Sequence, residues 1–220
     1  MNTKLLFFLC LAPLLMACKG SQSSGDAPAI DSALVCKVQF DADSAFHFVK
    51  AQCDFGARTS NSTAIERCGD YIVAKFRSYG LDITEQKTTL KGWDGTSLRC
   101  RNIIAAYKPE AKDRIVIAAH YDSRPWSDQD PDSTKHRLPV MAADDGASGV
   151  AVMLELARHI HRLNPAFGVD FVCFDAEDYG APYWAPKSVR NDENTWCLGS
   201  QYWSKNPHRP GYTARLGILL

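Results

Sequence analysis

Apolar positions recur along the chain with two different periods. In residues 63–79 they fall at Ile65, Cys68, Ile72, Phe76 and Tyr79, the three-and-four spacing that lays one apolar stripe along a helix. Thr63 with Glu66 three positions later reads as a capping box, and Gly80 stands where a helix end takes a positive φ. An earlier helix is expected over 41–56, ending at Gly56. Strand-like segments follow at 83–91, 99–107 and 114–121. The last contains "RIVIAAHYD", too apolar to be exposed on either face, which marks a central strand. The segment "SGVAVMLELARHIHRLNP" returns to the helical period, with Val150, Leu154, Ala157 and Ile160 on one face and a stop at Asn164-Pro165. "GVDFVCFDA" gives another buried strand, a polar and aromatic loop and a short helix around "WCLGSQYWSKN" come next, and "ARLGILL" reads as a final strand. Strands alternating with helices predict an α/β fold, a three-layer α/β/α sandwich around a mixed, mostly parallel sheet.

Composition narrows the function classes. The 220 residues carry 25 basic and 25 acidic side chains, so no charge excess favours nucleic acid as a partner. Apolar residues at 45% indicate a folded globular body. The opening "MNTKLLFFLCLAPLLMACKG" has a lysine and then an apolar run too short to span a bilayer, as an export signal does. Ala17-Cys18 resembles the lipobox of bacterial lipoproteins, which makes residues 1–18 a signal peptide and Cys18 the lipidated residue; an ordinary secretory signal is the alternative. In that resemblance Lys19 favours the outer membrane, with the protein facing the periplasm and meeting the membrane only through its anchor. Residues 19–40 are small and polar, a flexible tether, and 41–220 form the folded domain. Six cysteines remain after Cys10 and Cys18, with spacings that match no zinc knuckle and specify no pairing.

Three clusters carry candidate chemistry: "AAHYDS" with His120 and Asp122, "MAADDGASG" with Asp144 and Asp145, and "FDAEDYG" with Asp175, Glu177 and Asp178. Placed at strand ends, where α/β sheets gather their sites, imidazole and carboxylates suit a zinc ion with an open position. Adjacent acids are expected to diverge with the pleat, one to the metal and one to the substrate. Asp122 is placed to hold the His120 ring in one tautomer. The plainer account of Asp144 and Asp145 is that they cap the following helix.

Taken in order, "AHYDS", "ADDGASG", "FDAEDYG" and "LGSQYW", with "FGAR" and "RNIIA", resemble the zinc-dependent aminopeptidase and glutaminyl cyclase superfamily, within it the bacterial lipoprotein-type glutaminyl-peptide cyclotransferases. The resemblance implies a zinc-exopeptidase-like fold, with zinc held through Asp145 and Asp178, Glu177 as general acid/base, and a peptide bond after Asp145 that is often cis. It places His120 at a position that binds a second metal in aminopeptidases and stays beside the site in cyclases. Asp144 joins Asp122 in the supporting shell. It implies one zinc for a cyclase and two for an aminopeptidase, a monomer, and peptides or proteins with N-terminal glutamine as substrates. Trp184 and Trp196 are candidates for the pocket wall. The family pattern also has a further histidine ligand downstream and an acid after the strand "GILL"; the chain stops before both, so an incomplete C-terminus and a partial site are expected. Ala119 stands where animal cyclases have a bridged cysteine. The rival readings are a dizinc aminopeptidase and a tethered peptide-binding lipoprotein without turnover.

Overall fold

In the computed structural model, which describes residues 38–220, the first helix is α1, Ala42–Cys53. The segment expected to be a signal peptide, Cys18, Cys36 and most of the expected tether lie outside the described residues. Asp41 caps α1 by accepting the Ser44 N–H at 3.0 Å, and the helix stops three residues before Gly56, which takes φ +93° in the turn that follows. The second helix, α2, is Thr63–Ser78. Its cap is Ser62 and not Thr63: the Ser62 hydroxyl accepts the Ile65 N–H at 3.1 Å, while Glu66 pairs with Arg99 instead of reaching back. A serine one residue earlier satisfies the same orphan donors, which makes the Thr63–Glu66 box redundant. Gly80 takes φ +76° as expected.

Five strands follow: β1, Asp82–Lys91; β2, Ser97–Tyr107; β3, Arg114–His120; β4, Gly168–Phe174; and β5, Leu216–Leu219. They form one sheet in the order β1-β2-β4-β3-β5. β2 pairs antiparallel with both β1 and β4, whereas β3 pairs parallel with β4 and β5. Only β2 therefore runs against the rest: the sheet is mixed and mostly parallel in direction, although its pairings divide evenly. The third helix, α3, Ala147–Leu163, crosses between β3 and β4; Asn164 ends it in the left-handed region. A single turn α4, Lys187–Arg190, and α5, Leu198–Lys205, precede β5.

Alternation along the strands sorts the two faces. Ile103, Ala105 and Tyr107 of β2 and Val169, Phe171 and Cys173 of β4 face α1, α2 and α3 and form the main core with Ile72, Phe76, Val150 and Leu154. Phe76 and Phe171 stack at 5.7 Å, and truncating either to alanine should cost roughly 3–5 kcal/mol. Ile104, Ala118, Val172 and Phe174 face the other way, against Trp203 of α5. Helices on both faces make the three layers. On the β3–β4 ladder His120 is level with Phe174, so the residues after both strands emerge at one edge.

Candidate metal centre at the carboxyl edge of β3 and β4

His120 is the last residue of β3, and one ligand atom each from His120, Asp145 and Asp178 lie within 4.8 Å of one another. The three arrive by different routes. His120 ends a buried strand, Asp178 sits in the turn after β4, and Asp145 closes the loop that enters α3, so the cluster of Asp144 and Asp145 is at a helix entrance and not at a strand end. Neither Asp144 nor Asp145 caps α3: its N-cap is Gly146, with no side-chain bond.

Asp122 organises the turn. Its Oδ1 accepts the Glu177 N–H at 3.1 Å and its Oδ2 the Asp178 N–H at 3.0 Å, while Oδ1 also lies 3.4 Å from His120 Nδ1. Glu177 and Asp178 are thus separated by a carboxylate fork, not by strand pleat, because β4 has already ended at Phe174 and Ala176 turns the chain at φ +55°. The Asp122 side chain is only 1% exposed, whereas that of Asp145 is 79% exposed, so Asp122 supports from behind and Asp145 faces incoming molecules.

Gly146 is required by proximity. A Cβ there would stand 2.5 Å from the His120 ring and from its carbonyl oxygen. The Asp145–Gly146 bond is cis, as the resemblance implied. With the backbone this close, His120 Nε2 meets Asp145 Oδ1 at 2.5 Å. Both ring nitrogens of His120 therefore face carboxylates. Burial opposes a charged imidazolium, but the Asp122 bond and the charges of Asp122, Glu177 and Asp178 outweigh it and raise His120 to about 10. Burial, then Asp122, pushes Asp178 up to about 7, and burial likewise raises Glu177. Acids that discourage one another's ionisation create a demand for a divalent cation, and the nitrogen and oxygen donors suit zinc.

Two hollows meet at Asp145. One, about 270 Å³, is lined by His120, Asp144, Asp145, Ser148 and Glu177 with Leu219 and Leu220. The other, about 430 Å³, is lined by Asp145, Asp178, Arg124, Tyr183, Arg190 and Trp196 among others. The adjacent acids do face separate spaces. Trp196 lines the second hollow, and Trp184 packs on Trp126 and Tyr183 beneath Arg137. Asp144 is exposed at the rim of the first hollow, and its backbone carbonyl accepts from the Ser148 N–H and hydroxyl. A larger hollow of about 610 Å³ lies between α2 and the β1–β2 hairpin, but its charges pair with one another, Arg99 with Glu66 and Arg101 with Asp70. Size does not mark the chemistry here.

The other histidines take no part in the cluster: His47 bonds the Asp43 carbonyl, His159 bonds Glu155, His161 the Tyr79 carbonyl, His136 the Asp130 carbonyl and His208 the Trp203 indole. Cys53, Cys68, Cys100, Cys173 and Cys197 are all free thiols.

Two arginines without a forecast role brace the site. Arg58, fully buried, donates to the carbonyls of Tyr121 at 2.9 Å, Met141 at 3.0 Å and Ala142 at 2.7 Å. It thereby ties the residue after His120 to the segment that leads to Asp145. Arg124 forks onto Asp128 and reaches the carbonyls of Asp178 and Gly180. The i,i+4 pair in "SRPWSD" was a usable signal for Arg124; nothing near Arg58 in sequence announces three carbonyl acceptors.

Residues 102–220 match the model of Peptidase family M28. The chain belongs to peptidase family M28. Among solved M28-like structures, a Bacteroides thetaiotaomicron glutaminyl cyclase bound to N-acetylhistamine is 49% identical, covers 83% of this chain and 62% of its own, and superposes with a TM-score of 0.81. A leucine aminopeptidase precursor from Bacteroides thetaiotaomicron is also 49% identical, with 84% and 63% coverage and a TM-score of 0.82. The protein YfbL of Escherichia coli strain K12 is 34% identical over 150 residues, 68% of this chain and 40% of its own. This M28 chain thus spans less than two thirds of the length of these relatives. The family and its Zn-dependent exopeptidase neighbours carry zinc as the expected metal.

Proposed function

We propose that the protein cyclises N-terminal glutamine of peptides or proteins to pyroglutamate with release of ammonia. The observation that carries this reading is the convergence of Asp145 and Asp178 on one point beside Glu177. Asp145 and Asp178 would hold zinc, which when bound acts as a Lewis acid on the glutamine side-chain amide. Glu177, whose carboxylate has no hydrogen-bond partner among the described residues and borders the hollow shared with Asp145, takes a proton from the substrate's α-amine. The amine nitrogen bonds the amide carbon, the carbon–nitrogen bond to the departing group breaks, and Glu177 returns the proton to ammonia. Trp196 and Tyr183 wall the second hollow and curl the side chain toward the amine, which an intramolecular reaction rewards.

A single-zinc cyclase is supported by His120, whose two ring nitrogens are both engaged by carboxylates. The dizinc aminopeptidase reading, with His120 on a second ion, is supported by the leucine aminopeptidase precursor of equal identity. Supplying zinc and either a glutaminyl or a leucyl dipeptide, with ammonia and free leucine followed separately, distinguishes them. Ammonia from the glutaminyl substrate without leucine release supports cyclisation, leucine release supports the aminopeptidase, and binding without product supports a tethered peptide-binding role. Export as an outer-membrane lipoprotein through Cys18 belongs to the same proposal, tested by palmitate labelling and its loss in Cys18→Ser.

A further inference from the structure

Asp178 is held by its backbone from both ends. Asp122 accepts its N–H at 3.0 Å, and Arg124 Nη1 donates to its carbonyl at 3.2 Å and to the Gly180 carbonyl at 3.3 Å. The rest of the Arg124 guanidinium is fixed in turn. Nε donates to Asp128 Oδ1 at 2.7 Å and Nη2 to Asp128 Oδ2 at 2.8 Å, a bidentate fork whose two side chains are 14% and 3% exposed. The Arg124 plane also lies against two rings, 4.5 Å from the Trp196 centroid and 5.5 Å from that of Trp126. Asp128 accepts the Tyr183 N–H at 3.2 Å, and the Arg124 carbonyl accepts the Val140 N–H at 3.0 Å. The Arg124–Asp128 pair therefore joins the loop after β3 to the turn that carries Asp178 and to Tyr183, while the Arg124 backbone holds the approach to Asp145.

We propose that Arg124 is a positioning residue: with Asp122 it clamps the Asp178 backbone so that this carboxylate is preset for the cation, and it fixes Trp196 as the wall of the adjoining hollow. The inference rests on the assignment of Asp178 to the metal. The planar fork is essential to it. A lysine supplies the charge as a single point and cannot span Asp128 and two carbonyls at once. A ligand whose backbone is held at both its donor and its acceptor loses little freedom when the ion enters, and outer residues of this kind are worth about ten- to hundredfold in metal affinity.

The test compares the unmodified chain with Arg124→Lys, Arg124→Met and Asp128→Asn. Zinc affinity is measured by competition with a chromophoric chelator, at a temperature where each protein is folded, and melting temperature is recorded alongside. The expected result is a ten- to hundredfold weaker zinc affinity for both Arg124 variants, lysine included, with Asp128→Asn weakened in the same direction. A brace that only stabilises the loops would lower the melting temperature and leave the affinity of the folded protein within twofold, and that result overturns the proposal. If the Arg124 variants do not fold, Asp128→Asn decides by the same criterion. Failure of the unmodified protein to bind zinc overturns the metal assignment and this inference together, whereas binding that the variants do not alter overturns the inference alone.

Discussion

The carboxylate of Asp122 grips the N–H of Asp178 at 3.0 Å and does so from almost complete burial, with only 1% of its side chain exposed. A buried acceptor serving two backbone donors cannot be replaced by an amide without turning one acceptor into a donor that faces an N–H. Asp122→Asn should therefore destabilise the protein by about 1–3 kcal/mol and weaken zinc binding about tenfold or more. Denaturant unfolding of the metal-free protein and chelator competition measure the two effects separately. Unchanged zinc affinity would detach Asp122 from the centre.

Glu177→Gln separates proton transfer from metal binding. The Glu177 N–H and carbonyl, which bond Asp122 and the Cys197 N–H, are untouched by the change. Zinc affinity should persist while turnover falls about 10²–10⁴-fold, the usual contribution of a general acid/base. Steady-state ammonia release with a parallel zinc determination checks both, and retained turnover would remove Glu177 from the role.

Gly146→Ala places a methyl 2.5 Å from the His120 ring and carbonyl. The ring is held by Asp122 and Asp145 and cannot give way without losing those contacts. A loss of about 1–3 kcal/mol is expected, with weaker zinc binding, read from denaturant midpoints and chelator competition. A variant of full stability and affinity would show that the edge is looser than drawn.

Much of this arrangement was legible in the sequence, and the failures share a cause. Periodicity located α2, α3, β3 and β4 because their apolar stripes must be buried whatever the rest of the chain does. The residue pattern singled out the acidic clusters around Asp144-Asp145 and Glu177-Asp178, and the family resemblance selected Asp145, Asp178 and Glu177 within them. The Ser62 cap, Arg58, the reach of Arg124 to the Asp178 carbonyl and the surroundings of Trp184 were not readable, because each depends on what the folded chain brings close, whereas the pairing of Arg124 with Asp128 is signalled by their i,i+4 spacing. The divergence of Glu177 and Asp178 was foreseen for the wrong reason: pleat alternation stops with the strand, and a remote carboxylate takes over.

Asp175 offers a pH-dependent readout away from the proposed ligands. Burial, then the nearby Asp122 charge, raises its carboxyl to about 7, while its oxygens accept the Arg101 and Ala176 N–H groups. A folded-state value above the unfolded value, roughly 3.9, means that the folded protein holds the extra proton. Its stabilising contribution is complete at low pH and is lost as pH rises through that window. Stability of the metal-free protein should fall less between pH 5 and pH 8 in Asp175→Asn than in the unmodified chain, as denaturant midpoints would show. Parallel profiles would mean that Asp175 ionises normally.

The thiols should react in order of access. Burial raises Cys68 to about 12 and Cys173 and Cys100 further, and raises Cys197 to about 11, while Cys53 is partly exposed. Among the described thiols, iodoacetamide on the native protein should label Cys53 first and Cys197 more slowly, leaving Cys68, Cys100 and Cys173 until denaturant is added. Peptide mass mapping reads the order, and early modification of Cys173 would contradict the packing of β4.

The buried guanidinium of Arg58 has a practical corollary for anyone choosing where to start a recombinant protein. Family matching begins at residue 102, yet the carbonyls on either side of the site are knotted to a side chain more than forty positions earlier. Cutting at the homology boundary would leave three backbone acceptors stranded in the interior and unhitch both approaches to the acids, so the shortest fragment worth purifying must keep the residues ahead of α2.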